Sequence, residues 1–256
     1  MTNTTSPLIE LRSVVKSFGA VEVLSGVNFA ARAGEVTALV GDNGAGKSTL
    51  IKGIAGVQPF DSGTILFEGR EVAIKAPNDA SNLGIEVVYQ DLALCDNLDV
   101  VQNMFLGREL VRGTSLDNQN MEVRARATLE TLSVRNISSV RAKVANLSGG
   151  QRQTVAIARS VLWENKVVIL DEPTAALGVS QTKQVLKMVR NLAESGLAVI
   201  LISHNMQEVL AVADRIQILR LGQMVADLNA KETNINTIVS FITGADTLSL
   251  REDLAK

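Results

Sequence analysis

Residues 41–49 read Gly-Asp-Asn-Gly-Ala-Gly-Lys-Ser-Thr, a glycine-rich run that closes on a lysine and two hydroxyls. A loop of the form G-x-x-x-x-G-K-S can wrap its backbone N–H groups around phosphate oxygens. Gly41, Gly44 and Gly46 let such a loop turn tightly and approach phosphate without a Cβ in the way. Lys47 would reach the β- and γ-phosphates of a nucleotide, and the Ser48 hydroxyl would ligate Mg²⁺. Two adjacent acids, Asp171 and Glu172, follow the run Lys166–Leu170. Asp171 suits a hard cation, held through water, and Glu172 suits a base that accepts a proton from an attacking water. General-base assistance of that kind contributes roughly 10²–10⁴ in rate. His204, the only histidine, follows the apolar run Ala198–Ser203. It could contact the γ-phosphate, or orient Glu172 and the water. With one histidine and one cysteine, a His/Cys metal centre is disfavoured, and Cys95 reads as an ordinary buried thiol.

Each of these residues needs an element to aim it. Glu35–Val40 is short, β-branched and apolar, as a buried parallel strand should be. After the loop, Ser48–Ala55 has helical spacing, offers Leu50, Ile51 and Ile54 to one face, and stops at Gly56. The runs before Asp171 and His204 read as two further core strands. Ligands of parallel α/β sheets bind beyond the carboxyl ends of strands, so the acids, the histidine and the loop are expected to converge. A second anion site is written at Leu147–Gln151, Leu-Ser-Gly-Gly-Gln. Ser148 can cap a helix running from Gly150 towards Leu162, with Gly149 and Gly150 leaving backbone N–H groups accessible.

Three blocks organise the chain. Leu8–Val40 with the hairpin-like Gly63–Gly69 forms a small β-rich portion. Val101 to about Ala145 has no strong strand, and its Met121–Leu132 stretch is charged and helical in pattern. Lys166–Leu228 alternates strands and helices, with Ser180–Ser195 an amphipathic helix between two strands. The tails, 1–7 and 247–256, are polar, the latter a frayed helix or disordered.

At 256 residues the chain can bury a full core. It is apolar for a soluble protein, at 46% hydrophobic residues, yet its longest purely apolar stretch is Leu197–Ile202. A bilayer-crossing helix needs roughly 18 or more such residues, so direct membrane insertion is not expected and any membrane contact runs through a partner. Met1–Pro7 does not read as a secretory signal, and one cysteine suits a reducing cytosol. A net charge of −2 argues against a nucleic-acid or anionic-lipid surface. Arg124, Arg126, Arg135, Arg141 and Lys143 do cluster, but Glu122 and Glu130 are interleaved with them, which favours a solvated helical face over a binding patch.

Together these residues resemble the nucleotide-binding subunits of ABC transporters, from about Leu8 to Gly244. Gly41–Thr49 resembles Walker A, Val167–Glu172 Walker B, Leu147–Gln151 the signature motif, and His204 the switch histidine. The resemblance implies ATP and Mg²⁺ as ligands. It places ATP on Gly41, Asn43, Gly44, Ala45, Gly46, Lys47, Ser48 and Thr49, and Mg²⁺ on Ser48, Asp171 and Gln90. Gln90, closing Ile85–Gln90, is similar to the Q-loop glutamine, which also touches the lytic water and lies beside the coupling surface. Phe18 falls where the family stacks an aromatic on adenine; the alternative is a strand-edge core residue. The resemblance further implies that Ser148, Gly149, Gly150 and Gln151 face the ATP of an opposite subunit, so two chains sandwich two nucleotides.

The fold it implies is a P-loop NTPase α/β architecture. A RecA-like parallel-sheet core is joined by an N-terminal antiparallel β subdomain and an inserted α-helical signature subdomain at about 98–160, one ATPase domain spanning 8–246. One departure stands out: where the family usually reads Ser-Ala-Leu-Asp, this chain reads Ala175-Ala176-Leu177-Gly178. That run, together with Tyr89–Leu94, Asn97–Val100 and Ser203–Met206, is similar to ATPases of simple-sugar importers of the ribose/fructose type. With one Walker A and one signature, the expectation is a homodimer on the cytoplasmic face of the inner membrane. Its partners would be permease subunits and, indirectly, an external sugar-binding protein. Two alternatives differ in class: an ATPase of an exporter or non-sugar importer, and a soluble ABC protein without transport.

Overall fold

The computed structural model describes residues 6–245 other than 133, 135 and 136. The first half runs β1 Ile9–Phe18, β2 Val21–Ala31, β3 Val36–Val40, α1 Lys47–Ile54, β4 Ser62–Phe67, β5 Arg70–Val72, α2 Pro77–Asn82, β6 Ile85–Val88 and α3 Val100–Phe105. The second half runs β7 Val111–Arg112, β8 Ser115–Leu116, α4 Asn118–Thr131, α5 Gly149–Val161, β9 Val167–Asp171, α6 Val179–Glu194, β10 Ala198–Ile202, α7 Met206–Val212, β11 Arg215–Arg220, β12 Gln223–Asn229 and α8 Ile235–Thr243.

A six-stranded sheet in the order β12-β11-β3-β10-β9-β6 forms the centre. β11, β3, β10, β9 and β6 are parallel, and β12 closes one edge antiparallel to β11. The central strands are apolar almost throughout because both faces are covered. Val36, Ala38, Val40, Val168, Leu170, Val199 and Leu201 point to a core shared with α3 to α8. The alternating set Leu39, Val167, Ile169, Ala198, Ile200 and Ile202 points to the opposite core, with Leu50, Ile51 and Ile54 of α1. That second core is roofed by an antiparallel sheet in the order β2-β1-β4-β5, whose Ile9, Leu11, Val14, Leu24, Val27 and Phe29 face inward.

The expected architecture is thus present: a parallel core, an N-terminal antiparallel sheet and a helical portion carrying α3 to α5. Two details differ. The 101–145 block holds a short ribbon, β7–β8, whose residues are exposed and which leaves no mark on hydrophobic pattern. The end of the third block is an antiparallel hairpin, β11–β12, where strand–helix alternation was expected.

The basic cluster is a solvated, self-paired face. Arg126 and Arg141 both reach Glu122, at 2.7 and 2.8 Å, Arg141 also reaches Asp99 at 3.3 Å, and Arg124 lies 5.0 Å over the Trp163 ring. Arg135 and the tail 247–256 lie outside the described residues. Cys95 is half-buried, not buried. Its backbone N–H and C=O are both engaged by Asn103.

Candidate active site

Four stretches far apart in sequence meet because the parallel strands end on one edge of the sheet. β3 leads into Gly41, β6 into Tyr89-Gln90, β9 ends on Asp171 before Glu172, and β10 leads into Ser203-His204. Between them lies a cleft of about 400 Å³ lined by Asn43 through Thr49, Gln90, Asp171 and Glu172, with Val23 and Ile202 as its apolar walls. A cleft of that size suits a small ligand.

The loop's glycines are dictated by backbone geometry. Gly41 has φ +155°, and a Cβ there would stand 2.1 Å from the Leu219 carbonyl oxygen of β11. Gly46 has φ +107°, and its Cβ would press within 2.8 Å of Leu24. The loop is further tied to the β11–β12 turn, where Gly222 N–H donates to the Ala45 carbonyl at 3.0 Å. Lys47, at the first turn of α1, donates from Nζ to the carbonyls of Gly41 and Asp42 at 2.8 and 2.9 Å. Partial burial lowers its basicity, while Glu172, Asp42 and Asp171 raise it. Burial holds the Asp171 carboxyl above its ordinary range and the neighbouring Glu172 pushes the same way, against Lys47 and Lys52. Two half-buried carboxylates sharing one open cleft with an exposed serine hydroxyl and glutamine amide form an oxygen-rich set that suits a divalent cation.

Glu172 sits in left-handed backbone at φ +48°, a strained conformation for a residue of its size. Its N–H donates to the Ile202 carbonyl at 3.0 Å, which stitches the end of β9 to that of β10. His204 Nδ1 consequently lies 3.2 Å from Glu172 Oε1, with the histidine ring largely exposed. Of the two roles open to His204, orienting Glu172 has direct geometric support.

Phe18 pairs with Val21 at the β1–β2 turn, two residues along β2 from Val23 on the cleft wall. It is 44% exposed, so the strand-edge core reading is overturned. Lys16 Nζ lies 5.6 Å from its ring centroid.

Ser148–Gln151 does not line this cleft. Ser148 caps α5: its Oγ accepts from Gln151 N–H at 3.4 Å, while Gln151 Oε1 accepts from Ser148 N–H at 2.8 Å. A Cβ on Gly150 would come within 2.9 Å of the Gln181 side chain, and one on Gly149 would sit 3.6 Å from Leu177. The start of α5 is therefore packed against the 177–181 segment. Gly178 itself is the N-cap of α6 with φ −72°, a conformation open to any residue.

Sequence reasoning passed over Val23 and Ile202, whose only signal is their position at strand ends. It also passed over Thr174, Asn205 and Glu208, a hydrogen-bonded set behind Glu172 and His204.

A strand-end cleft with a glycine-rich loop closing on lysine and serine, paired acids and a neighbouring histidine, on this sheet order, is the architecture of an ATP-binding cassette. Residues 24–175 match the ABC transporter family, and the chain belongs to it as an ATP-binding, ATP-hydrolysing subunit. It is 47% identical over 238 residues to the xylose/arabinose import ATP-binding protein XylG of Sulfolobus acidocaldarius, covering 93% of this chain and 94% of that one. It is 45% identical over 246 residues to the fructose import ATP-binding protein FrcA of Rhizobium meliloti, covering 93% and 95%. The ribose import ATP-binding protein RbsA of Yersinia pestis is 41% identical over 238 residues, but this chain spans only 46% of its length. Among solved structures, a nucleotide-free ATP-binding cassette from an ABC transporter superposes with a TM-score of 0.79 at 27% identity, covering 92% of this chain and 96% of that one. Among the described residues no helix is long and apolar enough to cross a membrane.

Proposed function

We propose that this chain is the ATPase subunit of a monosaccharide importer, working at the cytoplasmic face of the membrane against permease subunits. The observation that carries the reading is its similarity, at 47% and 45% identity and almost end to end, to ATP-binding proteins named for xylose/arabinose and fructose import. In this reading residues from about 8 to 246 form a single cassette with a helical insertion near 98–160.

In this reading Asn43–Thr49 cradle the ATP phosphates, with Lys47 turning from its own loop carbonyls to the β/γ-oxygens, and Phe18 stacks on the base. Ser48, Asp171 and Gln90 would hold Mg²⁺, which would supply neutralisation of phosphate charge. Glu172 accepts the proton of the attacking water, and His204 fixes the carboxylate from 3.2 Å. The capped α5 start at Ser148–Gln151 is a second phosphate-binding helix terminus on a part of the chain that does not border its own cleft. In this reading a second copy presents that terminus to this cleft, giving a homodimer with two composite sites.

The test is capture of tagged Glu172→Gln chain from its source cell, with MgATP in mild detergent, followed by mass spectrometry. A multi-spanning permease in stoichiometric amount, with a sugar-binding protein alongside, is the expected result. Recovery of soluble or ribosomal partners alone would overturn the transport reading and leave the ATPase standing.

A further inference from the structure

Behind Glu172 and His204 a third acid, Glu208, joins the two loops that carry them. Glu208 occupies the third position of α7, whose N-cap is Asn205. A glutamate there ordinarily folds back onto the N-cap backbone N–H and closes a capping box. Here that N–H is already taken: Asn205 N–H donates to the Ser203 hydroxyl at 3.1 Å. The Asn205 side chain still caps the helix, accepting from the N–H groups of Gln207 and Glu208 at 3.1 and 3.4 Å. Released from the box, the Glu208 carboxylate accepts from Asn205 Nδ2 at 3.0 Å through one oxygen. Its other oxygen accepts from the Thr174 hydroxyl at 2.5 Å.

Thr174 lies two residues after Glu172, and Asn205 one residue after His204. The carboxylate therefore bridges the loop bearing the base to the loop bearing the histidine. The first loop needs such a tether, since Glu172 at φ +48° and Ala176 at φ +60° both sit in left-handed backbone without being glycine. Strained conformations of this kind persist only where surrounding contacts over-determine them.

We propose that Glu208 is a positioning residue for ATP hydrolysis, holding the Glu172–His204 separation by a Thr174–Glu208–Asn205 bridge. The inference rests on Glu172 acting as the base. It assigns Glu208 no contact with nucleotide, so binding and turnover should separate.

The experiment measures steady-state MgATP hydrolysis, nucleotide affinity and Tm for the full chain carrying Thr174→Val, Thr174→Ser, Glu208→Ala, Glu208→Gln and the Thr174→Val/Glu208→Ala pair. Thr174→Val keeps shape and removes only the hydroxyl. It should lower kcat about ten- to a hundredfold, as a misplaced catalytic group does, with KM and affinity within about twofold. Glu208→Ala should match it, the pair should be no worse than either single change, and Thr174→Ser and Glu208→Gln, which keep a donor and an acceptor, should stay near wild type. Wild-type kcat in Thr174→Val overturns the proposal, and so does multiplicative loss in the pair or a fall in affinity parallel to kcat. Glu172→Gln run alongside separates the two readings. If it hydrolyses normally the base assignment fails, whereas a dead Glu172→Gln with an active Thr174→Val removes only the bridge.

Discussion

Glu172→Gln is the substitution whose outcome the site constrains most tightly. The amide is nearly isosteric with the carboxylate, retains an oxygen and an N–H₂ facing His204 across 3.2 Å, and tolerates the same φ of +48°. The neighbouring charges move in a favourable direction for binding. Lys47 loses one of three carboxylates that keep it protonated but retains Asp42 and Asp171. Asp171 loses the like charge that, after burial, most disfavours its ionised form. Phosphate and cation affinity should therefore be kept or improved, and the whole loss should fall on proton acceptance. Removing a positioned base costs about 10²–10⁴ in rate. At 1.36 kcal/mol per decade that is a barrier higher by about 3–5 kcal/mol. The assay is phosphate release at saturating MgATP, paired with equilibrium nucleotide binding and size-exclusion chromatography with and without MgATP. The expected pattern is hydrolysis down by at least about a hundredfold, undiminished ATP binding, and a nucleotide-dependent dimer that persists. A fall in rate of less than about tenfold would refute the assignment of Glu172, and loss of binding in step with rate would mean the cleft itself had been disturbed.

Lys47→Ala should abolish tight nucleotide binding while leaving the fold intact, because the side chain's present partners are two carbonyls that water can satisfy; dialysis against labelled ATP decides it. Ser148→Arg should leave ATP binding by the monomer unchanged and stop hydrolysis, and mixing it with Lys47→Ala chains should restore some activity if the signature acts across a dimer. No recovery in the mixture would remove the simplest support for that arrangement. Gly178→Asp should fold normally and gain a few tenths of a kcal/mol in denaturant unfolding, since the N-cap of α6 has ordinary backbone and aspartate caps slightly better than glycine. Asn103→Leu should lower unfolding free energy by about 2–4 kcal/mol, because it strips a fully buried amide from the backbone N–H of Cys95 and the carbonyls of Cys95, Leu98 and Asp99; thermal and urea denaturation measure it.

The strands that carry the chemistry were legible because burial on both faces leaves a run with no alternative reading. Val36–Val40, Val167–Leu170 and Ala198–Ile202 are apolar at every position but one, Thr37, and that residue is fully buried too. Once such runs are recognised as parallel, whatever follows each of them is delivered to one edge, so Gly41, Asp171, Glu172 and His204 could be brought together from spacing alone. The start of α5 was equally open, since a serine three residues ahead of a glutamine is a local signal complete in itself. Phe18 was not decidable, because an aromatic at a strand end fits a core and a rim alike, and only its 44% exposure separates them.

The residues that escaped are polar groups whose partners are remote. Gln217 interrupts an apolar run in β11, which marks it as unusual, but its role depends on a strand 187 positions away. There its amide donates to the Ala30 carbonyl at 2.6 Å and accepts from the Ala30 N–H at 3.3 Å, linking the two sheets. Glu208 escaped for a different reason. Asn205-x-x-Glu208 has the spacing of a capping box, so the local rule supplies a complete and satisfying partner for the carboxylate. That partner is withdrawn only because Ser203, buried at the end of β10, occupies the Asn205 N–H first. A local motif thus predicts correctly which groups are available to bond but not which bond wins, and the competition is settled by where a strand ends. In this chain the strand ends are also where the chemistry lies, so the same geometry that made the main site readable conceals the contacts that hold it in place.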